Sequence, residues 1–329
     1  MTQPRSVMAY GIFSGGLDSL LASRLLLDQG IDVRLITFVT PFFGARRAQE
    51  SAALIGQATR PVDITGLHLA MLRNPKHGFG RFMNPCIDCH ALMFNQAGRI
   101  MTAEGGDFLF SGEVLGQRPM SQNLQALGIV ARESGFLDRI VRPLSALRLA
   151  ATPIEQAGLV DRERLLGLSG RSRKPQMALA ASYGLTGYPS PAGGCLLTDP
   201  IFSNRLRELR AAGPDFEERE VELLKYGRHF RLPAGGKLVV GRKKSENEAI
   251  ERLSRPDDIV LTAMDVPGPT ALLIGVGEPD LTLAASITVA YSDAEPLTPY
   301  AVQVLRGGQA VLVTAAGGPK EGYAEFMIK

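Results

Sequence analysis

Cys86, Cys89 and Cys195 are the only cysteines in a chain of 329 residues. Two of them form a C-x-x-C in NPCIDCH, and the third lies in SPAGGCLLTD, a glycine-rich and therefore exposed turn. An odd number of cysteines in a chain read as cytoplasmic argues against a disulfide framework and for metal, cluster or thiol chemistry. A structural zinc takes four ligands, so three cysteines fall one short unless His90 joins them. Three thiolates suffice for a [4Fe–4S] cluster, whose fourth iron is then open to another ligand such as hydrosulfide. Thiol chemistry alone is the alternative, with Cys195 carrying a persulfide and Cys86 or Cys89 resolving it.

The second group with chemistry in it is SGGLDS, residues 14 to 19. It follows the apolar run Val7 to Phe13, which reads as a buried strand, and precedes a leucine-spaced helix ending near Gly30. A chain turning from strand to helix exposes unpaired N–H groups and a partial positive charge, which suits a phosphate. Gly15 and Gly16 permit left-handed backbone and close approach, and Ser14 and Ser19 can donate to phosphate oxygens. Asp18 is placed to hold Mg²⁺ between phosphates. The lysine of a Walker A loop is missing, which counts against simple γ-phosphate transfer.

These groups must be positioned by ordinary elements. IDVRLITFVT reads as a second strand, so residues 7 to 40 form a βαβ unit and imply a parallel sheet with helices on its faces. ALMFNQAGRIMTAEG reads as a helix starting just after the C-x-x-C, DFLFSGE as a strand, and MSQNLQALGIVARESG as a helix. Pro143, Pro153, Pro175, Pro189 and Pro191 punctuate shorter pieces. The character changes near residue 200. NRLRELRAAGPDFEEREVELLKYGRHF is charged and helical, and KLVVG, DDIVLTAMDV, TALLIGV, SITVAYS, QAVLVTA and AEFMI are strand-like. The expected fold is an α/β domain over residues 1–200 and a smaller, sheet-rich α+β domain over 201–329.

Composition narrows the function. Hydrophobic residues are 45% and charged residues 21%, as in ordinary globular chains, and no apolar run spans a bilayer. The segment MTQPRSVMAYGIF lacks the pattern of a signal peptide, so a cytoplasmic protein is expected. A net charge of +3 is weak support for nucleic acid, but Arg171, Arg173 and Lys174, then Lys225, Arg228 and Arg231, then Arg242, Lys243 and Lys244, are local basic clusters.

SGGLDS resembles the SGGxDS loop of the PP-loop ATP pyrophosphatase superfamily, whose members cleave ATP between the α and β phosphates and place AMP on a substrate oxygen. The resemblance implies that Ser14, Gly15, Gly16, Asp18 and Ser19 bind the pyrophosphate end of ATP and its Mg²⁺, with Thr37 and Phe38 near the adenosine. FSGEVLGQRPMSQNLQAL, residues 110 to 127, is similar to the GE-x-x-GQ-x-x-SQ segment of the tRNA 4-thiouridine synthetase family. By that likeness Gly112, Gln117, Ser121 and Gln122 line the nucleotide or the target base, and Cys195 matches the family's sulfur-handling cysteine. NPCIDCH is similar to cysteine segments of 2-thiouridylases and cluster-dependent tRNA thiolases. The large tRNA-binding region that usually precedes the phosphate loop in that family has no counterpart here.

VVGRKKSENE and DVPG are similar to the RNA-binding domain of the NFACT family. The physical content agrees, because Arg242, Lys243 and Lys244 make a basic loop at a strand end, suited to phosphate. The combined expectation is a tRNA uridine thiolase: ATP adenylates a uridine oxygen, and sulfur from sulfide or a cysteine desulfurase replaces AMP. The competing expectation is another AMP-forming PP-loop ligase, in which the cysteines would be idle.

Overall fold

The computed structural model describes residues 6–189, 195–233, 235–275 and 280–329. Its chain divides into two compact units, Met1–Asp199 and Pro200–Lys329.

The first unit is built on β1 (Met8–Ile12), α1 (Leu17–Leu27), β2 (Asp32–Val39), α2 (Arg46–Ala53), β3 (Thr59–Asp63) and α3 (Thr65–Arg73). It continues with α4 (Cys86–Ala103), β4 (Phe108–Ser111), α5 (Leu124–Ser134), β5 (Ile140–Val141), α6 (Pro153–Gln156) and α7 (Lys174–Ser182). The strands form one parallel sheet in the order β3-β2-β1-β4-β5. The apolar side chains that made these segments legible are spent on its two faces. Leu17, Leu20 and Leu21 of α1, with Ala48 and Ala52 of α2, pack on one face. Phe94, Ala97 and Met101 of α4, with Val130 and Ala131 of α5, pack on the other. The α/β fold expected from the sequence is therefore the one observed. Sequence order reverses at β1, between β2 and β4, and in open parallel sheets ligands bind at the carboxyl ends of strands at such a switch. SGGLDS leaves β1 at that point.

The second unit contains α8 (Pro200–Ala212), α9 (Glu218–Leu223), β6 (Arg228–Arg231), β7 (Lys237–Val240), α10 (Lys244–Leu253), β8 (Ile259–Ala263), β9 (Thr270–Ile274), α11 (Leu281–Ala290), β10 (Pro299–Arg306) and β11 (Gln309–Ala316). Its six strands are wholly antiparallel, in the order β11-β10-β8-β9-β7-β6. Leu238 and Val240 of β7 point into the core shared with α11, and Val239 between them points into the core shared with α10. Helices thus cover both faces. No helix among the described residues is long and apolar enough to cross a membrane.

Several local expectations are corrected. SITVAYS is not a strand: it lies mostly in α11, which Asp280 caps by accepting from the Leu283 amide. Its β-branched residues Ile287, Thr288 and Val289 are all buried, so packing on the sheet overrides their strand preference. The charged helical run does not continue through Arg228-His229-Phe230, which pair with β7 instead. AEFMI contributes only an isolated bridge from Met327 to Phe230. Pro191 and the last residue of TALLIGV, Val276, lie outside the described residues.

Candidate active site

The loop after β1 is shaped by what cannot be fitted into it. Gly15 has φ of +74°, and a Cβ there would lie 2.6 Å from the Ala48 Cα at the start of α2. Only glycine accepts both conditions. Gly16, by contrast, is extended at φ −80° and occupies the N-cap of α1. Ser19 is buried and its hydroxyl donates to the Gly16 carbonyl, whereas Ser14 is exposed with its Oγ 3.4 Å from the Ser19 Oγ.

Asp18 stands in the first turn of α1. Gln117 Nε2 donates to its Oδ2 at 2.8 Å, and Gln176 Nε2 donates to Gln117 Oε1 at 2.9 Å. The Arg173 guanidinium lies 3.9 Å from the same Oδ2. Two segments distant in sequence, one bearing Gln117 and the other Arg173 and Gln176, therefore converge on one carboxylate. Its other oxygen, Oδ1, is buried and has no partner, and so are Arg173 Nε and Gln176 Oε1. Buried polar atoms without partners are rare in folded proteins, and in a cleft they mark where a ligand or ion completes the set. Gly112 closes the arrangement: a Cβ on it would lie 2.4 Å from the Ser19 amide nitrogen.

Thr37 and Phe38 are both buried in the sheet. The Thr37 hydroxyl donates to the Phe13 carbonyl and meets the Thr59 hydroxyl at 2.6 Å. Contact with a nucleotide at this strand end therefore falls to backbone atoms. Ser121 and Gln122 are buried beside the site, with Gln122 Oε1 unpartnered. Lys174 and Arg171 are exposed, Lys174 as the first residue of α7.

Cys86 and Cys89 are not ahead of a helix but in its first turn: Cys86 opens the eighteen-residue α4. Pro85 at the N-cap explains the start, since its missing N–H would be unpaired there anyway. The Asn84 side-chain amide donates to Cys86 Sγ at 3.2 Å, and the helix N-terminus adds its own positive end. Cys89 is buried and its Sγ lies 3.4 Å from His68 Nε2. Burial pushes the Cys89 thiol well up, and the nearby Cys195 and Cys86 add to the rise. Cys195 is half-buried rather than exposed, and the SPAGG residues before it lie outside the described residues. Burial pushes its thiol up to about 11; a backbone hydrogen bond from Leu197 and the charge of Arg118 oppose this, while Cys86 adds to it. The three sulfurs are thus within electrostatic reach of one another. Arg118 is the neighbour of Gln117, the residue that holds Asp18. Among the described residues, no three His, Cys, Asp or Glu side chains close around a metal ion.

Two parts of the site carry no local sequence signal. His68, on α3, is fully buried against Phe42 and Cys89, and burial lowers its pKa to about 4, so the ring is neutral. Glu113 is buried and receives His90 Nδ1 at 2.8 Å and Arg142 Nε at 2.9 Å. Burial alone would raise its pKa, but Arg142 and His90 outweigh this and hold it at about 2. This network anchors α4 to β4 beside the cysteines. Partners 23 and 29 residues apart become neighbours only through the sheet.

A five-stranded parallel sheet with a glycine loop at its switch point, followed by a helix whose first-turn aspartate has an unpartnered buried oxygen, is the arrangement of an α/β nucleotide-binding fold. The chain is similar to proteins named probable tRNA sulfurtransferase. That of Ureaplasma parvum serovar 3 is 26% identical over 176 residues, covering 51% of this chain and 41% of the relative. That of Lactobacillus helveticus is 26% identical over 143 residues, covering 41% and 34%. The chain thus spans less than half the length of these curated relatives. Residues 227–327 match the family described as NFACT protein RNA binding domain. Among solved structures, a 4-thiouridine synthetase–RNA complex with bound ATP aligns at 18% identity and a TM-score of 0.36, covering 66% of this chain and 52% of that one. The U34-tRNA thiolase NcsA of Methanococcus maripaludis, with its [4Fe–4S] cluster, aligns at 18% identity and a TM-score of 0.27, covering 57% and 60%.

Proposed function

We propose that the protein is an ATP-dependent tRNA sulfurtransferase that replaces a uridine carbonyl oxygen by sulfur. Residues 1–200 would form the thiolation domain and residues 201–329 the RNA-binding domain. One observation carries the reading: adjacent residues tie the two chemistries together, Gln117 holding Asp18 and Arg118 acting on Cys195. The names of the relatives and the RNA-binding match over residues 227–327 point the same way.

In this reading the amides at the start of α1, with Ser14, Gly15, Gly16 and Ser19, take the β and γ phosphates of ATP. The unpartnered Asp18 Oδ1 fits a Mg²⁺ ligand, and that ion would neutralise the departing pyrophosphate. Arg173, facing Asp18, adds charge at the same place, which assigns it to the nucleotide before the RNA. Extruding the uridine exposes its carbonyl oxygen. That oxygen attacks the α phosphorus, the α–β bond breaks, and pyrophosphate leaves. Sulfide then attacks the activated carbon, the C–O bond breaks, and AMP departs with the oxygen, so no electrons are gained or lost. The target is a 4-thiouridine-type position.

Cys86, Cys89 and Cys195 have the donor chemistry for a [4Fe–4S] cluster held by three thiolates, which would supply an open iron to bind and deliver sulfide. The second reading, persulfide transfer, is favoured by the Asn84 amide on Cys86, which suits a negatively charged sulfur. There the outer sulfur attacks the carbon, and a second cysteine thiol then frees the product by forming a disulfide that a thiol reductant must reopen. Incubating the protein anaerobically with unmodified tRNA, Mg·ATP and sulfide tests both. Thiolated nucleoside with stoichiometric AMP and pyrophosphate is expected; pyrophosphate without sulfur in the RNA would leave another AMP-forming ligase. Brown protein whose absorbance disappears with any one Cys→Ser change supports the cluster, and colourless protein active with a persulfide donor supports the thiol route.

A further inference from the structure

The second unit carries an arrangement of cations that its own carboxylates do not explain. Arg228, the first residue of β6, places its guanidinium carbon 4.7 Å from the centre of the Tyr291 ring. Lys320 brings its Nζ to 5.5 Å from the same ring. Tyr291 ends α11 and rests on the buried Phe230, centroid to centroid 5.7 Å. Arg228 and Phe230 are two apart on one strand and so share a face. Neither Arg228 nor Lys320 forms an ion pair with a carboxylate among the described residues. Glu321 is the acid felt by the Tyr291 phenol, whose pKa burial raises. Two cations held beside one ring repel each other, and an anion near both lowers that repulsion.

The surroundings suit such an anion. Arg228 is paired in register with Val240, so the end of β7 that leads to Lys243 and Lys244 is the end where Arg228 lies. Lys243 is the N-cap of α10 and Lys244 its first residue, and both are exposed. Arg242 is different. Its guanidinium is held by both oxygens of the buried Glu246, which also accepts the Arg242 and Gly227 amides. It positions the loop, with Nε and Nη2 engaged by Glu246.

We propose that Arg228 and Lys320, held in place by the ring of Tyr291, bind a backbone phosphate of single-stranded RNA. The site continues onto Lys243 and Lys244 at the same end of the sheet, and Arg242 is a positioning residue. This rests on the RNA-binding reading of residues 227–327. Phosphate contacts fix the register of an RNA without reading its sequence, so the clip would hold the strand in place and leave base choice elsewhere.

The test is titration of the full chain into labelled, unmodified tRNA over a range of salt. R228Q/K320Q is expected to weaken binding about tenfold at low salt and to flatten the log–log salt slope by about 0.7, the share of one phosphate on a single strand. Tyr291→Phe keeps the π face and should bind as the unchanged chain, whereas Tyr291→Leu should lose several-fold. Arg207→Gln on α8 removes an exposed charge that lies over no ring among the described residues and controls for net charge. Circular dichroism and melting separate loss of contact from loss of fold. Unchanged affinity and slope in folded R228Q/K320Q would overturn the clip while leaving RNA binding intact. Absence of binding by the unaltered chain would overturn the RNA reading itself.

Discussion

The two sites proposed for phosphate, one in each unit, are built in opposite ways. At the loop after β1, one carboxylate is fixed by residues from two distant segments, and unpartnered polar atoms are buried around it. At the start of β6, Arg228 is half-buried and Lys320 exposed, and a ring rather than a network keeps them together. The first arrangement depends on geometry, where one lost contact is decisive. The second depends on summed charge, where each residue contributes a similar, salt-screened share.

Substitutions of decreasing severity test that contrast. Asp18→Asn should reduce ATP-dependent pyrophosphate release by about 10²–10³-fold, the size expected when a group stabilising developing charge is removed, while the melting temperature stays put. Normal release would remove Asp18 from the chemistry. Arg142→Met leaves Glu113 buried without its main counter-charge and should cost about 3–5 kcal/mol in urea unfolding; adding Glu113→Gln should recover part of it. The pH dependence has a definite sign. Glu113 titrates at about 2 when folded against an ordinary 4.5, so its contribution is present above pH 4.5 and fades as pH falls toward 2. Glu113→Gln should flatten stability over that window. Lys243→Gln and Lys244→Gln should each weaken RNA binding only a few-fold, with a salt slope lower by about 0.7–0.9. Arg242→Gln should instead cost about 1 kcal/mol of stability or less and change the salt slope least.

What could be read from the sequence follows the same division. The strand, glycine loop and helix of residues 7 to 30 were legible because apolar spacing and glycine chemistry are local. Gln117 entered only through resemblance, since no spacing rule joins it to Asp18, and Cys195 was legible as one of three cysteines but not as a neighbour of the other two. His68 was passed over because a lone histidine in an apolar helix has no pattern; only α3 packing beside α4 brings it to Cys89. Arg242, Lys243 and Lys244 were legible as a basic run, but not that a carboxylate four residues on would claim one of the three. SITVAYS misled because a short β-branched run fits a strand or a buried helix equally well, and the Asp280 cap and the sheet beneath decided it.

Gly112 leaves no room for even a methyl group against the backbone of Ser19. On the proposed function, the turn that would receive triphosphate therefore packs directly against the loop after β4 that leads to Gln117 and Arg118. Nucleotide arriving on one would be transmitted mechanically to the neighbourhood of the Cys195 sulfur, tying sulfur delivery to the presence of fuel without any separate signalling element.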